Sequence, residues 1–520
     1  MTTRLWVTLA GVLLLVRVPS LVQPMGADQG LYAYVGERIL VGDVPYRDAW
    51  DQKPPAIHFT YAILRAVWKS DAAVAAADLI AAACVGGLLF QLGTAVAGRA
   101  VGTTSALLFL LLSNPAFTRV GGVRLRGQAE TFIAVALTAA FLFLVRERVR
   151  RRSGGIVAAG LMLGIACVFK YNTAVYAVAA VAAMWLWNQL SARSLGLLCI
   201  GFCVPVVLML SYFAATGTLS DLYEATIAYN VQYSGETYAG PLDAFRYLLT
   251  FPIERARVDA LWTVGGAGCL VLLAAVLGDR NRLIAPLWVG AACLSIAING
   301  SRGLPQYFVQ ANPALALAAG WGAAIAWKVV EVRGGRYARP IAIGLLALVA
   351  VGVWRVNQFP KLVEQTLFDA RYAFGGVSAD EHLARYSDER KYSPLQAAKL
   401  AEFLRAHSAD SDRVYVFGFS CAAYVDAGRA SASRFFWSRP VIVGFNRDRP
   451  GYGASGVLAE LTRHSPAVVA LQRKDWAPDV MDSAAFFMGT PILAEWLQSH
   501  YQRADGPDAF ELWVRKTVSP

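Results

Sequence analysis

Long apolar runs recur along this chain of 520 residues, and several approach or exceed the roughly 20 residues needed to cross a bilayer. Residues 72–97 and 195–215 are the clearest of them. Composition agrees: 56% of the residues are hydrophobic, 16% are charged, and mean hydropathy is +0.44. A soluble protein would carry about 25% charged residues. The chain therefore reads as a multi-span α-helical membrane protein. Its net charge of +12 is no sign of nucleic-acid binding. In a membrane protein the Lys and Arg excess gathers in cytoplasmic loops and sets orientation.

About eleven spans are expected by hydropathy. They fall near 4–24, 72–97, 101–117, 130–146, 155–170, 173–190, 195–215, 258–278, 283–299, 309–328 and 340–357. Placing the N-terminus inside puts the Arg-rich loops around Arg99, Arg146–Arg152, Arg193, Asp279–Arg282 and Lys328–Arg339 in the cytoplasm. The loops richest in acids and aromatics then face outward, and so do residues 358–520. This orientation makes residues 1–357 a membrane module with a first outer loop at 25–71, and residues 358–520 an extracytoplasmic domain. The apolar N-terminus reads as an uncleaved anchor, since no A-x-A site precedes the loop and further spans follow.

The last third of the chain is charged and has no 20-residue apolar run. Arg413–Phe419, Val441–Phe445, Ala467–Gln472 and Phe510–Arg515 read as strands. Pro394–His407, Ser455–His464 and Met481–Tyr501 read as helices. Such alternation predicts a small α/β domain. Tyr415, Arg434, Phe435, Phe436, Trp437 and Arg439 read better as a small core with a solvated rim than as a sugar-binding surface. Six cysteines lie in apolar segments and Cys421 stands alone in the polar region, with no metal-ligand spacing and no H-x3-H pair.

The richest local signal is Gly26–Pro55, which crowds Asp28, Glu37, Asp43, Asp48 and Asp51 with Arg38, Arg47 and Lys53. Ionisable clusters at a membrane boundary are functional candidates. Asp28 follows the first span, as a general base or as a helix N-cap. Lys53, in the turn PYRDAWDQKPP, is placed to meet an anionic lipid phosphate or to solvate a helix start. The stretch Ala56–Lys69 after it is amphipathic and is expected in the interface.

Arg119, Arg124 and Arg126 run against the positive-inside trend and call for an anionic partner, while Arg126 and Glu130 have the spacing of a local helix pair. Glu130 opens an apolar helix at its positive end. Lys170 and Arg17 read as snorkelling side chains. Arg302, Gln306 and Tyr307 offer a cation and two hydrogen-bonding tips above a later span.

Together, the acidic first loop, the PYRDAWDQKPP turn, Glu130 and the Arg302–Phe308 element resemble the GT-C superfamily. They are most similar to the bacterial PMT_2 type, which includes protein O-mannosyltransferases and lipid A aminoarabinose transferases. The resemblance covers residues 1–330 well and the C-terminal domain loosely. It implies an outer-facing cavity and a polyprenyl-phosphate sugar donor in place of a nucleotide sugar. The acceptor would be a lipid, glycan or protein. By resemblance Asp28 and Glu130 are the catalytic acids, with Asp28 the base and Lys53 a phosphate ligand. Arg124, Arg126 and Arg302 join Lys53 as candidate phosphate ligands, and Tyr32, Asp51, Gln306 and Tyr307 as candidate substrate contacts. Gln29 stands where protein mannosyltransferases often carry a second acid, which weakens the case for a protein acceptor.

The implied chemistry is self-consistent. A carboxylate can take the acceptor proton, and Lys or Arg can stabilise the departing phosphate. Neither task needs a Gly-rich nucleotide loop, and none is evident. Acids clustered in the first loop admit a divalent metal, but no ligand spacing demands one. Membrane lipids are the expected surroundings, a bacterial plasma membrane the expected location, and nucleic acid is no expected partner. Two other readings compete: a flippase for polyprenyl-linked sugars, and a non-catalytic scaffold of the same fold. A transporter should show internal repeats and mid-membrane charge, and neither is visible in the sequence.

Overall fold

The computed structural model describes residues 3–118, 122–150, 153–235, 237–300, 303–357, 359–387, 392–476 and 480–516. Among these, six helices are long and apolar enough to cross a membrane, or up to eight if each of two bent helix pairs counts as one span. Four shorter apolar helices accompany them. The chain divides into two compact units, the first built from 1–21, 75–212 and 231–370, the second from 22–74, 213–230 and 371–520.

The first unit is helical. With little hydrophobic drive between helices inside a bilayer, close backbone approach supplies the packing. Gly160 and Gly164 form a G-x-x-x-G stripe on helix Gly154–Phe169. A Cβ at either position would meet the carbonyl oxygen of Leu198 or Phe202 well inside van der Waals contact. Gly201 answers from the opposite helix, against the Val157 oxygen. Helices Ala260–Ala274 and Asn312–Gly334 pack the same way through Gly268 and Ala318. Between Pro241–Ala256 and Ala260–Ala274 the chain bends by 114°. Asp259 caps the second helix by accepting from the Leu261 N–H at 3.0 Å.

The expected Arg17 snorkel is not found. Arg17 is buried, and its Nη2 donates to the Leu110 oxygen at 2.9 Å and to Ser113 Oγ at 3.0 Å.

The second unit carries a five-stranded mixed sheet in the order β2-β1-β3-β5-β4. Its strands are β1 Arg413–Phe417, β2 Ala430–Ser431, β3 Val468–Gln472, β4 Tyr501–Ala504 and β5 Phe510–Arg515. β1 pairs in parallel with β2 and β3, while β5 runs antiparallel to β3 and β4. β3, VVALQ, is buried along its whole length, as a central strand covered on both faces should be.

Two sequence expectations fail here. Val441–Phe445 is no strand: Arg439–Ile442 forms a short helix with Pro440 in its first turn, and Gly444 then turns the chain at φ 67°. Met481–Tyr501 is not one helix. It splits into Ser483–Gly489 and Pro491–His500 at Thr490, and Tyr501 begins β4. The proline at 491 cannot continue the preceding helix but suits the first position of the next.

The first-loop segment belongs to this second unit. Helix Ala27–Leu40 packs on Ala56–Val67 and on Ala422–Ala427. Gly30 makes the second contact, since a Cβ there would lie 2.7 Å from the Ala422 nitrogen. Gly36 makes the first, at 2.7 Å from the Ala62 nitrogen.

Candidate functional site

In the second unit, the turn PYRDAWDQKPP is held from several sides. The Trp50 N–H donates to the Arg434 oxygen at 2.9 Å, and Trp437 Nε1 donates to the Trp50 oxygen at 3.0 Å. The Trp50 indole packs among Phe435, Trp437, Phe445 and Tyr229. Within the turn, Asp48 accepts from the Val44 N–H at 2.8 Å. Tyr46 adopts φ 71°, a conformation unfavourable for a bulky residue, and its hydroxyl donates to the Lys53 oxygen at 2.8 Å. Such over-determination fixes the backbone that carries Asp51 and Lys53.

Asp51 is buried, with one carboxylate oxygen accepting from the Gln52 N–H at 2.7 Å and the other 3.2 Å from His58 Nε2. Edges of Tyr32 and Tyr46 enclose the His58 ring. Asp28 lies in the first turn of its helix and is half-buried, while Gly26 takes the N-cap position expected of it. The two acids share a neighbourhood. Burial pushes the Cys421 thiol well above its ordinary range, and the charges of Asp51 and Asp28 push it further. Tyr32 is buried between His58 and Tyr61, and Lys53 is half-buried.

In the first unit, Glu130 is the second residue of helix Ala129–Arg150, near the positive end of its dipole. Its Oε1 lies 2.6 Å from Lys170 Nζ, and both side chains are buried. Lys170 is thus no snorkeller. It ends helix Gly154–Phe169 and turns inward, with its ammonium 4.0 Å from the Tyr307 ring centroid. Gln306 and Tyr307 are both buried on the 3-10 helix Pro305–Ala311.

The same helix supplies Gln310. Its Oε1 accepts from Tyr176 Oη at 3.1 Å and from Ser295 Oγ at 3.0 Å, and Asn172 Nδ2 reaches the Ser295 oxygen at 2.7 Å. Arg126 is buried and Arg124 half-buried, in the turn before helix Ala129–Arg150. Arg119 and Arg302 lie outside the described residues.

The structure thus groups Asp28, Tyr32, Asp51 and Lys53 in one unit, and Glu130, Gln306 and Tyr307 with Lys170 in the other. Sequence reading missed His58, Tyr176, Asn172, Ser295 and Gln310. A polar residue inside an apolar helical run was the available signal for Ser295 and Gln310; nothing local marks His58. Among the described residues no group of three His, Cys, Asp or Glu side chains is placed to hold a metal ion.

No protein-family model matches the sequence, and no curated protein does. Solved structures do match along nearly the whole chain. ArnT from Cupriavidus metallidurans, bound to undecaprenyl phosphate, superposes with a TM-score of 0.59 at 15% identity, over 99% of this chain and 98% of that one. Its apo form gives 0.58 at 16% identity, over 98% and 97%. The Archaeoglobus fulgidus oligosaccharyltransferase tethered to an acceptor peptide gives 0.56 at 12% identity, over 99% of this chain and 74% of that one.

The fold is that of the GT-C glycosyltransferases. The GT-C likeness extends over the C-terminal third, where the sequence resemblance was loose. It also accords with the apolar helices in making this a multi-pass membrane protein.

Proposed function

We propose that the chain is an integral-membrane glycosyltransferase that moves a sugar from a polyprenyl-phosphate donor to a lipid, glycan or protein acceptor. The observation that carries this reading is the end-to-end GT-C likeness, which includes a relative bound to undecaprenyl phosphate and another in complex with dolichol-phosphate. The fixed KPP turn and the buried Glu130–Lys170 pair support it, because ionisable groups are kept inside membrane helices chiefly for function.

In this reading Asp28 is the general base. It removes the acceptor hydroxyl proton as that oxygen attacks the anomeric carbon. The sugar–phosphate C–O bond breaks, its electron pair leaves with polyprenyl phosphate, and the anomeric centre inverts. Lys53, Arg124, Arg126 and Arg302 stabilise the departing phosphate. Tyr32, Asp51, Gln306 and Tyr307 contact substrate. Glu130 is the second catalytic acid, and we assign it to orientation because Lys170 already engages its carboxylate.

The proposed topology has about eleven spans, with the Arg-rich loops inside and residues 358–520 outside a bacterial plasma membrane. The buried Glu130–Lys170 pair gives the flippase reading its one supporting observation, since transporters also place paired charges among their helices.

Mass spectrometry of the lipid that co-purifies with the full chain tests the proposal. A polyprenyl-phosphate sugar should be found, and its loss on incubation with acceptor should leave polyprenyl phosphate on the protein. Donor that crosses a bilayer intact, with no cleavage, would favour the flippase.

A further inference from the structure

His58 is wholly buried in the second unit, yet among the described residues neither of its ring nitrogens has a hydrogen-bond partner. Its Nε2 lies 3.2 Å from Asp51 Oδ2, within hydrogen-bond reach but out of line. That carboxylate oxygen is buried and lacks a hydrogen-bond partner among the described residues as well. Unsatisfied buried polar groups are rare and costly, and a catalytic role is one of their recognised causes. Pairs of this kind at catalytic sites are often out of line until substrate draws them together.

Packing alone does not call for an imidazole here. His58 lies near the start of helix Ala56–Val67, which packs on helix Ala27–Leu40. Further along, the two helices are held by the close approach of Gly36 to Ala62 and by the Arg65–Glu37 pair at 2.8 Å. A phenylalanine at 58 would fill the same space and meet Tyr32 and Tyr46 edge-on, as the His58 ring does at 5.9 and 6.1 Å. What it would lack is a nitrogen for Asp51.

His58 also touches each part of the candidate site in this unit. Asp51 leads to Gln52, whose N–H donates to the other carboxylate oxygen at 2.7 Å. Tyr46 leads to Lys53, whose carbonyl oxygen accepts from the Tyr46 hydroxyl at 2.8 Å. Tyr32 leads to Asp28, which lies one turn earlier on the same face of its helix. Pro54 and Pro55 stiffen the link from Lys53 to the start of the His58 helix.

We propose that His58 is a positioning residue whose Nε2 braces the Asp51 carboxylate and so holds Lys53 in register with Asp28. The assignment rests on the reading of Asp28 as the base and Lys53 as a phosphate ligand. Register matters there, because a misplacement of about 1 Å between reacting groups can cost ~100-fold in rate.

Hydrogen exchange at residues 48–53 and steady-state sugar transfer are measured on the purified full chain, with the thermal midpoint as a check on folding. His58→Phe keeps the ring and removes the nitrogen, whereas His58→Gln keeps a donor near the Nε2 position and removes the ring. We expect His58→Phe to exchange about tenfold faster or more at residues 48–53, and to lose about tenfold or more in kcat with little change in KM. His58→Gln should stay close to the parent in all three. Asp51→Ala and Asp51→Ala/His58→Phe should behave alike, because a brace that acts through Asp51 is already gone. If the lone carboxylate unfolds His58→Phe, the double variant, which buries no unpaired charge, carries the comparison with His58→Gln. A loss in His58→Gln equal to or greater than that in His58→Phe would show that only the packing of the ring matters, and would overturn the proposal. So would an unchanged His58→Phe protein, or losses that add in the double variant. A parent that shows the exchange pattern but transfers no sugar would count against the proposed function and not against the brace.

Discussion

Lys170 Nζ lies 2.6 Å from Glu130 Oε1, across 40 residues of sequence and in the interior of the helical unit. Breaking such a pair leaves one charge buried and unpaired, which costs about 3–5 kcal/mol, whereas neutralising both partners is often nearly neutral. Glu130→Gln and Lys170→Met should each lower the thermal midpoint of the purified protein sharply. The double variant should recover most of the loss. Additive losses in the double variant would mean the two side chains are not coupled.

Gly30 is required by the approach of its helix to the start of Ala422–Ala427. Gly30→Val must push that helix away, at a cost of about 1–3 kcal/mol for overpacking. Gly489→Ala is the control, because nothing lies within 4 Å of a Cβ placed there. Limited proteolysis should cut the Gly30→Val protein faster and leave the control at the parent rate.

Stability of the second unit should fall as pH rises through the acid range. Burial pushes Asp475 up to about 7 from an ordinary 3.8, although Ser483 hydrogen bonds oppose the shift. Burial, and then the Asp71 charge, raise Asp426 to about 7 as well. A raised folded value means that the fold favours the protonated acid. Its contribution is complete below about 3.8 and is lost as pH rises to about 7. Each group contributes at most ~1.4 kcal/mol per pH unit across that window. Asp475→Asn should flatten the decline of the thermal midpoint between about pH 5 and pH 7. A parent protein whose midpoint rises over that range would contradict this.

The orientation has its own test. A reporter active only outside the cytoplasm should work when fused after Pro520. Activity from a cytoplasmic reporter alone at that position would reverse the assignment of every loop.

What the sequence made legible was the information that is local. Apolar runs announce membrane helices because the bilayer fixes their length and composition. The strands Arg413–Phe417, Val468–Gln472 and Phe510–Arg515 were legible for the same reason, as apolar runs bounded by turns. Pairings across long separations were not. Nothing in Lys170 itself tells a snorkelling lysine from one that turns inward to Glu130. The docking of Trp50 among Phe435, Trp437 and Phe445 joins segments nearly 400 residues apart, so the aromatic content of each could be read but not their meeting. Val441–Phe445 misled because its apolar residues outvoted the flanking Pro440 and the left-handed turn at Gly444.

The central claim is that Asp28 drives sugar transfer from a polyprenyl-phosphate donor. Its most direct test is the release of polyprenyl phosphate from such a donor by the full-length protein, compared with Asp28→Asn and Glu130→Gln. Asn keeps the shape of Asp but cannot take a proton, so turnover in Asp28→Asn should fall by at least the ~100-fold typical of lost acid–base catalysis, with donor binding retained. At a temperature where Glu130→Gln remains folded, near-normal turnover in Asp28→Asn with collapse in Glu130→Gln would exchange the two roles, and normal turnover in both would contradict the account.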